Sequence, residues 1–180
     1  MTYLNEIIQK ESLNDFINVK ELNEIPEGSE SLIFENLFSN LDRDFLIITR
    51  DLKRFQQIKD TMEFFLKSNT LFFPQWDCVP YDRISPNKTI TSNRLETLST
   101  LANNKRDRKI VLSTIQSACQ RTLPIDEIKN KSINLKPGQV INVDELLLFF
   151  INNGYSKVGT VREFGEFSIR GGIIDFYSPL

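Results

Sequence analysis

The residues best placed to do chemistry lie between Trp76 and Arg83, where Asp77 and Asp82 stand close together among Trp76, Tyr81 and Arg83. Two carboxylates divide acid and base roles only when their surroundings push their pKa values apart. Here no histidine, lysine or metal partner stands at a recognisable spacing, and the chain has no histidine at all, so packing of the loop is the expected role. The same absence excludes histidine-based triads. With only Cys78 and Cys119 present, it also excludes zinc-ligand spacing. A phosphate loop needs G-x-x-x-x-G-K-[ST], so that backbone N–H groups and a lysine meet the phosphates. Gly28, in the turn Ile25-Pro26-Glu27-Gly28-Ser29, lacks the second glycine, the lysine and the hydroxyl, so nucleotide binding is not expected there. The basic run Lys105-Arg106-Asp107-Arg108-Lys109 is broken by its own aspartate and followed directly by a strand, which reads as a solvated turn.

A different kind of chemistry is written between Gly154 and Pro179. Val158 and Val161, then Phe167 and Ile169, then Ile173, Ile174 and Phe176 favour pleated structure, with Gly165 and Gly171-Gly172 as punctuation. Arg162, Glu163, Glu166 and Arg170 sit among them, where a buried strand would not tolerate charge. The pattern predicts strand, turn, strand, with Arg170 on the face of Ser168 and not that of Ile169. Such charges either keep a sheet edge soluble or recognise a partner.

These stretches must be positioned by the rest of the chain. Leu4, Ile7, Ile8, Phe16 and Ile17 predict an amphipathic opening helix. Leu32, Ile33, Leu37, Phe38 and Leu41 mark a second helix, capped by Ser29 or Ser31. Phe45 to Thr49 is a continuous apolar run, predicting a strand buried on both faces. Thr49 or Asp51 caps a helix carrying Leu52, Phe55, Ile58, Met62, Phe65 and Leu66, and Leu71-Phe72-Phe73 begins the next strand. Leu95, Leu98 and Leu101 mark a helix capped by Thr91 or Ser92, and Ile110 to Ser113 a third strand. The prediction is an α/β domain, a mostly parallel sheet with helices on both faces. The long connection from Phe73 to the third helix lies where open α/β sheets place ligands. Pro124 to Lys131 is polar and aperiodic and places a domain boundary, giving units 1–125 and 126–180. Ser132 to Leu135 is predicted as a strand, Asn142 or Asp144 as the cap of a helix with Leu146, Leu147 and Phe150, and Asn153-Gly154 as its left-handed stop.

A net charge of −2 leaves no electrostatic footprint for autonomous binding of DNA. Asn5, Glu6, Gln9 and Lys10 interrupt the apolar residues of the N-terminus, so no signal peptide or bilayer span is expected. Two isolated thiols fit a reducing compartment, and the expected location is cytoplasmic.

Two motifs carry a family resemblance. Arg170-Gly171-Gly172-Ile173-Ile174-Asp175-Phe176-Tyr177-Ser178-Pro179 is similar to the R-G-hydrophobic-hydrophobic-D-hydrophobic-hydrophobic-P signature shared by the excision-repair subunit UvrB and the second domain of bacterial transcription-repair coupling factors. This chain has one extra residue before the proline. Trp76, Asp77, Pro80, Tyr81, Asp82, Ser85 and Pro86, then Ser92, Arg94, Leu95 and Leu98, resemble the W-[DE]-x-x-P-Y-[DE]-x-x-S-P and S-x-R-L-x-x-L pattern of the coupling factors' first domain. Ser113 to Pro124 is similar to the family's strand-exit segment. The resemblance implies a UvrB-like, degenerate helicase-type first domain followed by part of a smaller α+β UvrA-binding domain, in a chain that is the amino-terminal piece of a longer protein. It implies docking of UvrA, with Lys157, Arg162, Glu166, Phe167 and Arg170 as the contact. Lys157 and Arg170 match basic positions of the UvrB pattern, whereas Arg162 and Glu166 rest on neighbourhood. The stretch itself is then no enzyme and holds no cofactor. ATP, magnesium, duplex DNA and RNA polymerase are implied for other parts of the intact translocase. The rival reading is a stand-alone α/β enzyme or nucleotide-binding domain using the Trp76–Arg83 loop.

Overall fold

The computed structural model describes residues 23–66, 70–79, 83–103 and 107–178. The predicted opening helix lies outside them, as do Pro80, Tyr81, Asp82, Lys105, Arg106 and Pro179. The first unit runs α1 (Glu30–Asn40), β1 (Phe45–Thr49), α2 (Leu52–Phe65), β2 (Thr70–Phe73), α3 (Lys88–Asn103), β3 (Ile110–Thr114) and α4 (Ile115–Ala118). Its strands pair in parallel in the order β1-β3-β2, so β3 is central. Helices lie on both faces, in agreement with the α/β prediction.

On one face α1 and α2 enclose the main core, where Phe38, Phe55, Ile58, Met62 and Leu66 meet Ile110 and Leu112, with Phe45, Ile47 and Phe72 beside them. Asp51 starts α2 by accepting the backbone N–H of Arg54 (2.7 Å), and this bond holds its carboxyl below the usual aspartate range. Ser29 does not cap α1; its hydroxyl donates to Pro26 O (2.6 Å) instead.

The other face corrects three expectations. Thr97 Oγ1 of α3 donates to Phe72 O (2.7 Å), and the Arg94 guanidinium lies 4.0 Å from the Phe73 ring centroid and 4.3 Å from that of Trp76. The buried side of α3 is therefore Arg94, Thr97, Ser99 and Ala102, while Leu95 and Leu101 are exposed. Helix and strand end are joined by polar groups, because the carbonyls leaving β2 need donors. Asn87, not Thr91 or Ser92, accepts the first N–H, that of Thr89 (2.8 Å). Since α3 lies over β2, β1 keeps one face open among the described residues. Leu46 and Ile48 are exposed, and the strand predicted to be buried on both sides alternates.

Helix α5 (Ile125–Asn130) follows and rests Ile125 and Ile128 near Leu98, Leu101 and Ala102 of α3. The second unit contains α6 (Val143–Asn152), β4 (Ser156–Lys157), β5 (Glu166–Arg170) and β6 (Ile173–Tyr177). Asn142 Oδ1 caps α6, accepting from Asp144 N (3.0 Å), and Gly154 closes it at φ +79°, a value that favours glycine. The strands form a sheet ordered β4-β5-β6, parallel then antiparallel. Residues 132–135 form no strand; Leu135 instead packs beside the core of Leu146, Phe150 and Phe167.

Candidate protein-docking site

The hairpin of β5 and β6 turns at Gly171-Gly172, with Gly171 at φ +59°. Register sorts its side chains, because directly opposed residues share a face. Phe167 faces Phe176, and Ile169 faces Ile174, on the side of α6. Phe150 of α6 stacks on Phe167 (centroids 5.2 Å) and lies 5.0 Å from both Tyr155 and Phe176. The outer side carries the pairs Glu166 and Tyr177, Ser168 and Asp175, Arg170 and Ile173. Arg170 and Ser168 thus share a face, as alternation predicts.

The five predicted contact residues are not brought together. Arg170 is exposed on the outer face, where its Nη2 donates to Asp175 Oδ2 (2.6 Å). Lys157 is exposed too, but its register partner is Phe167, which assigns it to the opposite face. Phe167 is 2% exposed. Its ring belongs to the core and offers no surface, a correction to its predicted contact role. Glu166 is half-buried, and its Oε2 accepts the backbone N–H groups of Arg162 (2.8 Å) and Glu163 (2.9 Å), which hold its carboxyl below the usual range. That capture turns the chain where a strand through Val158 and Val161 was predicted; residues 158–165 form none. Ser168, buried under this loop, donates to Gly159 O (3.2 Å). Arg162 remains exposed on the loop. Glu163 beside it pairs with Lys88 at the start of α3 (2.5 Å), which raises the lysine's pKa. Asp175, Ile173 and Tyr177, absent from the predicted contact, share the face of Arg170, as alternation counted from the glycine pair places them.

The Glu166 bonds carry a pH signature. The folded pKa lies below the ordinary 4.5, so the stabilisation is fully present above that value and fades as pH falls through the lowered one. Urea midpoints of the parent and Glu166→Gln should differ most above pH 4.5 and converge in more acidic solution; a gap unchanged down to about pH 3, well below the reference value, would contradict this role.

The rival loop is built for packing in the part described. Asp77 accepts the backbone N–H of Asn87 (3.1 and 3.3 Å). Trp76 covers Arg94, whose Nη1 donates to Pro74 O (2.6 Å) and to Ser117 Oγ. Burial pulls the Arg94 pKa down to about 10, leaving it charged at neutral pH. Among the described residues no group of three or more acidic or cysteine side chains could hold a metal ion. A cleft of about 610 Å³ lies at the end of β1, lined by Glu27, Thr49, Arg50, Asp51 and Arg54 among others. Several charges in and beside it answer one another. Glu30 pairs with Arg54 and accepts the Gly28 N–H (3.0 Å), and Arg50 pairs with Asp51 (2.9 Å). A carboxylate thus takes the N–H that a phosphate would need. Among the described residues no helix is long and apolar enough to cross a membrane.

Comparison with known proteins adds the family. The UvrB interaction domain model matches residues 133–179, which hold α6 and the whole hairpin sheet. A transcription-repair-coupling factor of Rickettsia bellii is 31% identical over 156 residues, 86% of this chain and 14% of the relative. The chain is a homologue of the transcription-repair-coupling factors over most of its length. The factor of Rickettsia prowazekii is 30% identical over 148 residues (82% of the chain, 13% of the relative), and that of Haemophilus influenzae 27% over 158 (88% and 14%). The chain therefore spans about one seventh of the length of these relatives.

Proposed function

We propose that this chain is the repair-recruitment module of a transcription-repair coupling factor, and that it docks the excision-repair protein UvrA through the β5–β6 hairpin. The observation that carries the reading is the match of residues 133–179 to the UvrB interaction domain within a chain homologous to coupling factors. The geometry supports it: the outer hairpin face is exposed at Arg170, Ile173 and Tyr177, is backed by Phe150 and Phe167, and bears an arginine whose planar fork suits a protein acceptor. Of the predicted contact residues, Arg170 ranks first and Arg162 second. Lys157 would touch only a partner that wraps the β4 edge, and Glu166 and Phe167 act by holding the face. ATP-driven translocation on duplex DNA and displacement of stalled RNA polymerase belong, in this proposal, to other parts of the intact protein.

Calorimetric titration of UvrA into the chain tests the reading. Saturable binding is expected, together with an unchanged melting temperature when ATP and magnesium are added to the chain alone, since a ligand held only by the folded state would raise it. No binding of UvrA sinks the proposal. A nucleotide-dependent rise in melting temperature would favour the rival enzyme or nucleotide-binding reading.

A further inference from the structure

We infer that docking through the hairpin is driven by apolar contact, with Ile173 and Tyr177 as its anchors and Arg170 and Asp175 as a polar flank that is already neutralised; this rests on the docking reading above. Ile173 and Tyr177 are 63% and 51% exposed. Register sets both on the outer face with Arg170 and Asp175, continuous with the proposed contact. They are not spare core residues turned outward by accident of alternation, because the opposite face is already filled by Phe167, Ile169 and Ile174. Large side chains held on a strand lose little conformational freedom on binding, and tyrosine is among the residues that most often anchor interfaces.

The charge on this face points the same way. Arg170 and Asp175 are joined at 2.6 Å, so a partner approaching from beyond a Debye length meets a short dipole and not a free cation. Long-range attraction from Arg170 is therefore small. One guanidinium donor is engaged by Asp175 and the others remain for a partner's acceptors. The occupant that fits is a folded protein surface with an apolar recess for Ile173 and Tyr177, bordered by hydrogen-bond acceptors.

The test is titration of purified UvrA into the full chain and its Ile173→Thr, Tyr177→Ser, Tyr177→Phe and Asp175→Asn variants, at low and near-physiological salt. Ile173→Thr keeps the β-branching that suits a strand, and Tyr177→Phe keeps the ring. Ile173→Thr and Tyr177→Ser should each weaken binding by about ten-fold or more. Tyr177→Phe should bind close to the parent. Parent affinity should change little with salt and binding should show a negative heat-capacity change. Asp175→Asn, by freeing the cation, should introduce a salt dependence that the parent lacks. If Tyr177→Ser melts early, Ile173→Thr decides. Parent binding that falls steeply with salt, or that survives both apolar losses while Arg170→Glu abolishes it, overturns this inference and leaves the docking reading standing. Failure of the parent to bind overturns both.

Discussion

Arg170→Glu is expected to weaken UvrA binding by about 30-fold or more, roughly 2 kcal/mol, while the chain stays folded. The size follows from what the substitution leaves behind. In the parent, Asp175 is answered by the guanidinium at 2.6 Å. In the variant two carboxylates stand on neighbouring strands, and a docking partner would strip water from both. Removing one member of a desolvated pair costs far more than the pair contributes, and reversing its sign adds repulsion. Without the partner both carboxylates stay hydrated, because Arg170 and Asp175 are 62% and 42% exposed. The folded state should then lose no more than about 1 kcal/mol, the range for like charges on adjacent strands. Thermal melting beside the titration separates the two effects. A collapse in melting temperature would make Arg170 structural, and Arg170→Gln, which removes charge without reversing it, would then carry the binding test. Normal binding by a folded Arg170→Glu would move the contact away from the hairpin.

Phe167→Ala is expected to act the opposite way, unfolding the second unit before it touches any partner. Phe167 and Phe150 are 2% and 1% exposed and stack at 5.2 Å, and with Leu146 they are the buried members of a small core. Truncating a buried phenylalanine costs about 3–5 kcal/mol through lost burial and the cavity left behind, which is a large share of what a small domain has to lose. Urea unfolding followed by near-ultraviolet circular dichroism should show the midpoint falling sharply, with UvrA binding lost in proportion to unfolded chain. A variant that stays folded at the parent's midpoint but fails to bind would return Phe167 to the contact surface and contradict its burial.

Much of this molecule is legible in one dimension. The strand from Phe45 to Thr49, the helical recurrence of Phe55, Ile58 and Met62, a cap at Thr49 or Asp51 and another at Asn142 or Asp144, and Gly154 as a helix stop are local patterns, and the structure agrees with each, choosing Asp51 and Asn142. Local patterns suffice there because propensity, capping and left-handed glycine act within a few residues. The two family motifs are legible for the same reason, as residues in order along the chain. Other features depend on which segments meet. The sequence does not say that α3 lies over β2 and leaves Leu46 and Ile48 uncovered, nor that Arg94 and Thr97, not the leucines beside them, are its inner face. It does not reveal that the Glu166 carboxylate, by taking two N–H groups, replaces a strand with a turn. For the site the decisive quantity is register. Because side chains alternate with period two, the pairing of Lys157 with Phe167 and of Arg170 with Ile173 divides the predicted cluster between two faces. It buries Phe167 and joins Ile173 and Tyr177 to Arg170. That pairing is made by hydrogen bonds between separate segments and by the aromatic core under them, so only the folded chain decides which residues stand together on the proposed docking face.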